Sequence, residues 1–289
     1  MSGRIESDPN FLKFTDMPVA FMEETGFMLA DYSVALGCCE NQDKQKTQIY
    51  GSGVLVRKGN RLGVLTACHC ADELEVGNLD GTSVVLVIKP SYCVIIPPAL
   101  VVKHVLGKPN KNSMEPDLAF LEIRPSPILG SIKAVASFWN LDQKAFEDAK
   151  QYQTAGTPLV VIGFPGVYHN TKIEGRHMRK QVKHMTYFYA ICQDSIRERG
   201  GWDYVEANNR YGQGNDLPQT FHGVSGGPVW GLQIKKDKTT GKLSVKQFAL
   251  VGIAFLQIRR SSRTVRLRAH FIKSLYSRAW QGFSPNEAQ

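Results

Sequence analysis

Two short segments, far apart in the chain, constrain it most: Gly223-Val224-Ser225-Gly226-Gly227-Pro228 and Leu65-Thr66-Ala67-Cys68-His69-Cys70. A serine hydroxyl is a weak nucleophile at neutral pH and needs an adjacent base, usually a histidine, to take its proton. It also needs backbone N–H groups that can reach a developing oxyanion, which the small residues around Ser225 permit. Glu115-Pro116-Asp117-Leu118-Ala119-Phe120-Leu121 adds a carboxylate at the edge of an apolar run, suited to orienting that base. The order His69, Asp117, Ser225 is one of the known arrangements of such a triad. Taken singly, these residues read as a core histidine or a glycine-rich turn. Their joint occurrence argues for a triad.

On these motifs the chain resembles the trypsin-like serine proteases of the chymotrypsin fold. The family's Gly-Asp-Ser-Gly-Gly-Pro reads Gly223-Val224-Ser225-Gly226-Gly227-Pro228 here, its Thr-Ala-Ala-His-Cys reads Thr66-Ala67-Cys68-His69-Cys70, and its Asp-Ile-Ala-Leu-Leu reads Asp117-Leu118-Ala119-Phe120-Leu121. Gly51-Ser52-Gly53-Val54-Leu55-Val56 resembles the strand before the histidine, Val160 to Gly166 the strand opening the second barrel, and Val251-Gly252-Ile253-Ala254 the strand after the serine.

The resemblance implies an all-β chain with two six-stranded antiparallel β-barrels and a C-terminal helix. Residues 1–28 would form an N-terminal extension, 29–140 the first barrel and 141–155 a connecting helix and linker. Residues 156–268 would form the second barrel and 269–289 a C-terminal helix and tail. It implies a serine endopeptidase with His69, Asp117 and Ser225 as triad and the N–H groups of Gly223 and Ser225 as oxyanion hole. Gln219, Thr220, His222, Phe255, Leu256 and Gln257 would contact a protein or peptide substrate, the last three by strand addition. Gln219 replaces the aspartate of trypsin-like pockets, so cleavage after Lys or Arg is not implied. Gln257 replaces a glycine at the pocket mouth. Val224 stands where secreted relatives carry the aspartate that receives the new N-terminus on activation. The resemblance is therefore to the intracellular type lacking that aspartate, with narrow specificity or activation by a partner. The alternatives are an inactive binding module of the same fold and a basic adaptor for acidic partners.

Composition agrees with this reading. The 289 residues are enough for sizeable cores, and no apolar run is long enough to span a membrane. Met1 to Asp8 shows no apolar signal region, so the expected location is the cytoplasm. In secreted relatives the cysteine after the histidine pairs with one before the glycine-started strand. Ile49 and Tyr50 occupy that neighbourhood, as suits a reducing compartment. Cys38, Cys39, Cys68 and Cys70 lack the Cys-x-x-Cys spacing of a zinc knuckle and read as small buried thiols. Neither metal nor cofactor is expected. The net charge of +9 concentrates in Lys172 to Lys183 and in Arg259 to Arg268. Without a nucleic-acid motif these stretches read as solvated basic faces, although Tyr187 and Tyr189 lie near the first and Arg263 is placed to meet a polar substrate side chain. Periodicity predicts a first strand over Tyr32–Leu36, a helix over Leu141–Lys150 and a C-terminal helix over Ala269–Trp280.

Overall fold

Short runs of β-branched and aromatic residues, punctuated by glycine and turn residues, become strands along most of the chain. The computed structural model describes residues 17–40, 47–74, 82–89, 92–109, 115–166, 169–174, 177–182, 185–190, 195–210, 222–261, 264–281 and 283. The first described element is helix α1 (Val19–Ala30), followed by β1 (Ser33–Glu40), β2 (Gln48–Lys58), β3 (Arg61–Thr66) and the short helix α2 (Cys68–Asp72). Strands β4 (Thr82–Lys89), β5 (Tyr92–Ile96), β6 (Val101–Gly107) and β7 (Leu118–Ile123) follow, then α3 (Pro127–Val135) and β8 (Trp139–Asn140). These strands form one sheet in the order β5-β4-β1-β2-β3-β7-β6, with β8 added in parallel to β2.

Helix α4 (Gln143–Lys150) leads to the second half, in the interval where the sequence predicts it. The Asp142 side chain caps it, accepting the N–H of Ala145 at 2.7 Å. Next come β9 (Pro158–Gly163), a two-stranded ribbon of β10 (His169–Glu174) and β11 (His177–Val182), and β12 (Met185–Ala190). The last strands are β13 (Ile196–Arg199), β14 (Trp202–Arg210), β15 (Pro228–Lys236), β16 (Leu243–Ser261) and β17 (Thr264–His270). They form a second sheet, β12-β9-β15-β16-β17-β14-β13, antiparallel throughout.

The molecule is mostly β with two sheets, but the strand counts depart from six and six. The sheets have eight and seven strands, and neither closes into a barrel among the described residues. In the first sheet Pro97 and Pro98, which lack N–H donors, open the turn between the edge strands β5 and β6, and no ladder joins those edges. Strand β8 pairs with β2 through the backbone, and its Trp139 ring packs on the second sheet, 5.2 Å from Trp230 and 5.6 Å from Phe248.

The C-terminal helix also starts later than predicted. Ala269 and His270 belong to β17, paired to Val205 and Tyr204 on one side and to Ala254 and Ile253 on the other. Ladders on both flanks override the helical spacing. Helix α5 is only Ile272–Tyr276, capped by the Asp203 carboxylate on the N–H groups of Lys273 (2.9 Å) and Ser274 (2.6 Å).

The glycine-rich start of β2 becomes a strand buried on both faces. Alternation sends Val54 and Val56 into a cluster shared with Val160, Ile162, Val229, Trp230 and Leu250 of the second sheet. Leu55 joins Leu36, Val64, Leu86, Ile96 and Leu121 in the first sheet's own core. The sheets therefore share one apolar interface, and the candidate site lies along its edge.

Candidate active site

The chain turns sharply after β3, and this turn carries His69. Ala67 is extended and α2 starts at once, so His69 projects from its first turn with a side chain 44% exposed. Strand β7 pairs with β3, matching Thr66 to Ala119, which brings Asp117, just ahead of β7, alongside His69. The Asp117 carboxylate is buried and uses both oxygens on one residue. Oδ1 accepts the backbone N–H of His69 at 3.0 Å, and Oδ2 lies 2.5 Å from its Nδ1. With its hydrogen on Nδ1, the ring has Nε2 as its accepting nitrogen. Burial disfavours the imidazolium, but the hydrogen bond to Asp117 favours it and prevails, so the His69 pKa is raised above its ordinary 6.5.

The serine loop is clamped onto β2 by close backbone contacts. Ser52 N–H donates to the Ser225 carbonyl at 2.8 Å, and Ser52 Oγ donates to the Gly223 carbonyl at 2.6 Å while accepting Phe164 N–H at 2.9 Å. Thr66 Oγ1 holds the Ser52 carbonyl at 2.7 Å. Gly226 has φ +86°, and a Cβ there would run into Ser52 O and Thr66 Oγ1. Gly223, at φ +90°, would bring a Cβ to 2.5 Å from the Phe164 carbonyl. Val224 is buried against Gly163, in apolar surroundings that suit a valine and would desolvate an ammonium group. Cys70, next to His69, places its Sγ 3.5 Å from the Ser225 carbonyl, so α2 and the serine loop meet directly.

Ser225 Oγ is turned toward the Phe255 carbonyl, at 3.4 Å, and makes no hydrogen bond to His69. Phe255 sits at a register shift between Ala254 and Leu256, where β16 and β17 fall out of step. Such a bulge re-aims a backbone group, here a carbonyl toward the serine. Strand β15 begins at Pro228 opposite Ile253, so among the described residues its ladder with β16 does not run beyond that point, and Leu256 and Gln257 are half-buried further along β16. His222 is exposed and its carbonyl accepts Gly166 N–H at 2.9 Å. Gln219, Thr220 and Arg263 lie outside the described residues.

Three groups that the motifs did not mark complete the site. Ser52, flanked by glycines, is the clamp just described. Glu115, two residues before Asp117, is buried and ion-paired to Arg268, which with Arg266 also binds the buried Glu206 of β14. This corrects the reading of Arg259–Arg268 as a solvated basic face for two of its members. In the β14/β17 register Glu206 lies opposite Arg268, so cross-strand pairing draws both arginines inward. The third is His270, whose Nε2 accepts the backbone N–H of Asp117 at 3.1 Å.

Tyr189 is buried and stacks on Tyr187 at 6.2 Å, which removes it as a platform for bases. Cys39, Cys68 and Cys70 are buried free thiols. Burial first, then Asp72 and Asp117, push the Cys68 thiol up to about 11, where it stays protonated. Among the described residues no three His, Cys, Asp or Glu side chains are grouped to hold a metal ion, and no helix is long and apolar enough to cross a membrane.

No protein-family model and no curated protein matches the chain.

Proposed function

We propose that the chain is a serine endopeptidase of the trypsin-like type, built on chymotrypsin-like barrels and working without the zymogen aspartate. The observation that carries this reading is the buried Asp117 carboxylate on both the N–H and the Nδ1 of His69, on a turn whose next residue touches the Ser225 backbone.

In this reading a peptide substrate adds as a strand along Phe255, Leu256 and Gln257. Ser225 Oγ rotates from the Phe255 carbonyl to Nε2 of His69, gives it the proton and attacks the scissile carbonyl carbon. The carbonyl π-electrons move onto oxygen, and the N–H groups of Gly223 and Ser225 stabilise that oxyanion. When the intermediate collapses, the C–N bond breaks and the imidazolium protonates the leaving amine. Water then attacks the acyl carbon as His69 takes one of its protons, and that proton passes to Ser225 Oγ as the ester C–O bond breaks and the carboxylic acid leaves. Asp117 keeps the proton on Nδ1 and stabilises the imidazolium throughout.

The bond from Ser225 to Phe255 rather than to His69 favours a second reading, an off-state that awaits a partner or a barrel used for binding. Catalytic hydrogen bonds in a free enzyme often tighten only with substrate, so this geometry is compatible with either. A fluorophosphonate probe separates them. Labelling that disappears in Ser225→Ala establishes a working nucleophile. A folded wild-type protein that stays unlabelled supports the binding reading.

A further inference from the structure

His270 is fully buried at the end of β17, beneath the catalytic carboxylate and away from solvent. Its Nε2 accepts Asp117 N–H, so that nitrogen carries no hydrogen and the proton sits on Nδ1. Among the described residues that Nδ1 is buried with no hydrogen-bond partner, a costly arrangement that a phenylalanine would avoid. The ring is boxed by Phe255 (4.6 Å between centroids), Trp202 (5.3 Å) and Tyr204 (5.3 Å). His270 therefore touches both arms of the site from behind. It bonds the residue that orients His69, and it packs on the residue whose carbonyl meets Ser225 Oγ. The first contact crosses between the sheets, since Asp117 leads into the first and His270 ends a strand of the second.

We propose that His270 is a positioning residue of the triad, fixing Asp117 through its backbone N–H and bracing Phe255 beside the nucleophile. This rests on the protease reading for its catalytic consequence, but the positioning of Asp117 stands apart from it. The role requires a neutral ring, because an imidazolium has no lone pair for the N–H of Asp117. The titratable groups on the elements around the ring are Asp117 itself, Glu115 just before it, and Asp203, Tyr204 and Glu206 on β14. Glu115 and Glu206 are bound by Arg268, and Asp203 is committed to capping α5. Burial outweighs the attraction of Asp117 and lowers the His270 pKa to about 4, which keeps the ring neutral at physiological pH.

The test compares His270→Phe, which keeps the aromatic box without the acceptor, with His270→Gln, whose Oε1 reaches the position of Nε2. The readouts are the NMR titration of His69 and the rate of fluorophosphonate labelling, with thermal unfolding as the fold control. In His270→Phe the His69 midpoint should move toward 6.5, and labelling should slow on the order of 10- to 100-fold through misplacement of the carboxylate. His270→Gln should recover both in part. A folded His270→Phe with wild-type titration and labelling overturns the proposal. Should that variant not fold, His270→Gln against His270→Leu makes the same comparison, acceptor present against acceptor absent. A wild-type protein that does not label sinks the protease reading alone, and the His69 titration still decides what His270 does.

Discussion

At the scale of single residues the site turns on one carboxylate that serves two atoms of one histidine. Asp117 gives Oδ1 to the His69 N–H and Oδ2 to its ring, so backbone and side chain are oriented together. The same contact raises the pKa of the histidine it orients, the base of the protease reading. A base acts only when neutral, so the rate should fall as pH drops through the raised value, and the acid limb of the pH–rate profile should lie above 6.5. Asp117→Asn should move that limb down and lower the limiting rate on the order of 10³- to 10⁴-fold, because an amide NH₂ facing Nδ1 favours the wrong tautomer. A pH series of labelling or ester hydrolysis checks both, and a limb unmoved in Asp117→Asn would contradict the pairing.

At the scale of elements the serine loop is placed by β2 as much as by its own sequence. One residue of that strand, Ser52, donates to two carbonyls of the loop and accepts an N–H just beyond β9. Gly226 fits beneath the Ser52 carbonyl only because it has no Cβ. Ser52→Ala removes the hydrogen bonds of its Oγ to the buried Phe164 N–H and the Gly223 carbonyl, which should cost about 1–3 kcal/mol. Urea unfolding measures the loss, and on the protease reading, in which Gly223 supplies an oxyanion N–H, labelling should fall further than stability does. Equal stability for Ser52→Ala and wild type would show that the clamp carries no weight.

At the scale of the whole molecule two sheets share a core, and polar contacts at its edge set their register. Glu115 ahead of β7 reaches Arg268 of β17, and Asp117 reaches His270 of the same strand. A histidine held neutral makes this junction sensitive to acid. The folded pKa of His270, about 4, lies below its ordinary 6.5, so between those values the unfolded chain binds a proton that the native one refuses. Stability should therefore fall as pH drops below 6.5, with a loss of about 3 kcal/mol complete near pH 4. His69 acts on the other side. Its raised pKa contributes stability that is fully present below 6.5 and lost as pH rises through the folded value. Urea midpoints across pH 4 to 8 should show the acid decline in wild type and a shallower one in His270→Gln. Parallel curves would remove His270 as its source.

Much of the candidate site was legible because its motifs are local in sequence. A serine in a glycine-rich segment, a histidine after an apolar strand and an aspartate before one each carry their surroundings with them, and α4 with its Asp142 cap was readable for the same reason, whereas helix α2 under His69 was not foreseen. The chain also announced β structure through its short β-branched runs. Sheet size was not legible, because whether β5 meets β6, or β8 pairs with β2, depends on packing between distant segments. Nor was the end of β17, where ladders on both sides outweigh a helical spacing that looks sound in isolation. His270, Ser52 and the Glu115–Arg268–Glu206 network gave no motif signal, since each acts through partners far away in the chain. The sequence by itself determined which residue types were present and in what order, for those follow from local propensity and motif spacing. Only the tertiary structure decided that a histidine from the second sheet stands behind Asp117 and that Ser225 points at a bulged carbonyl, because long-range strand register alone brings those atoms within bonding distance.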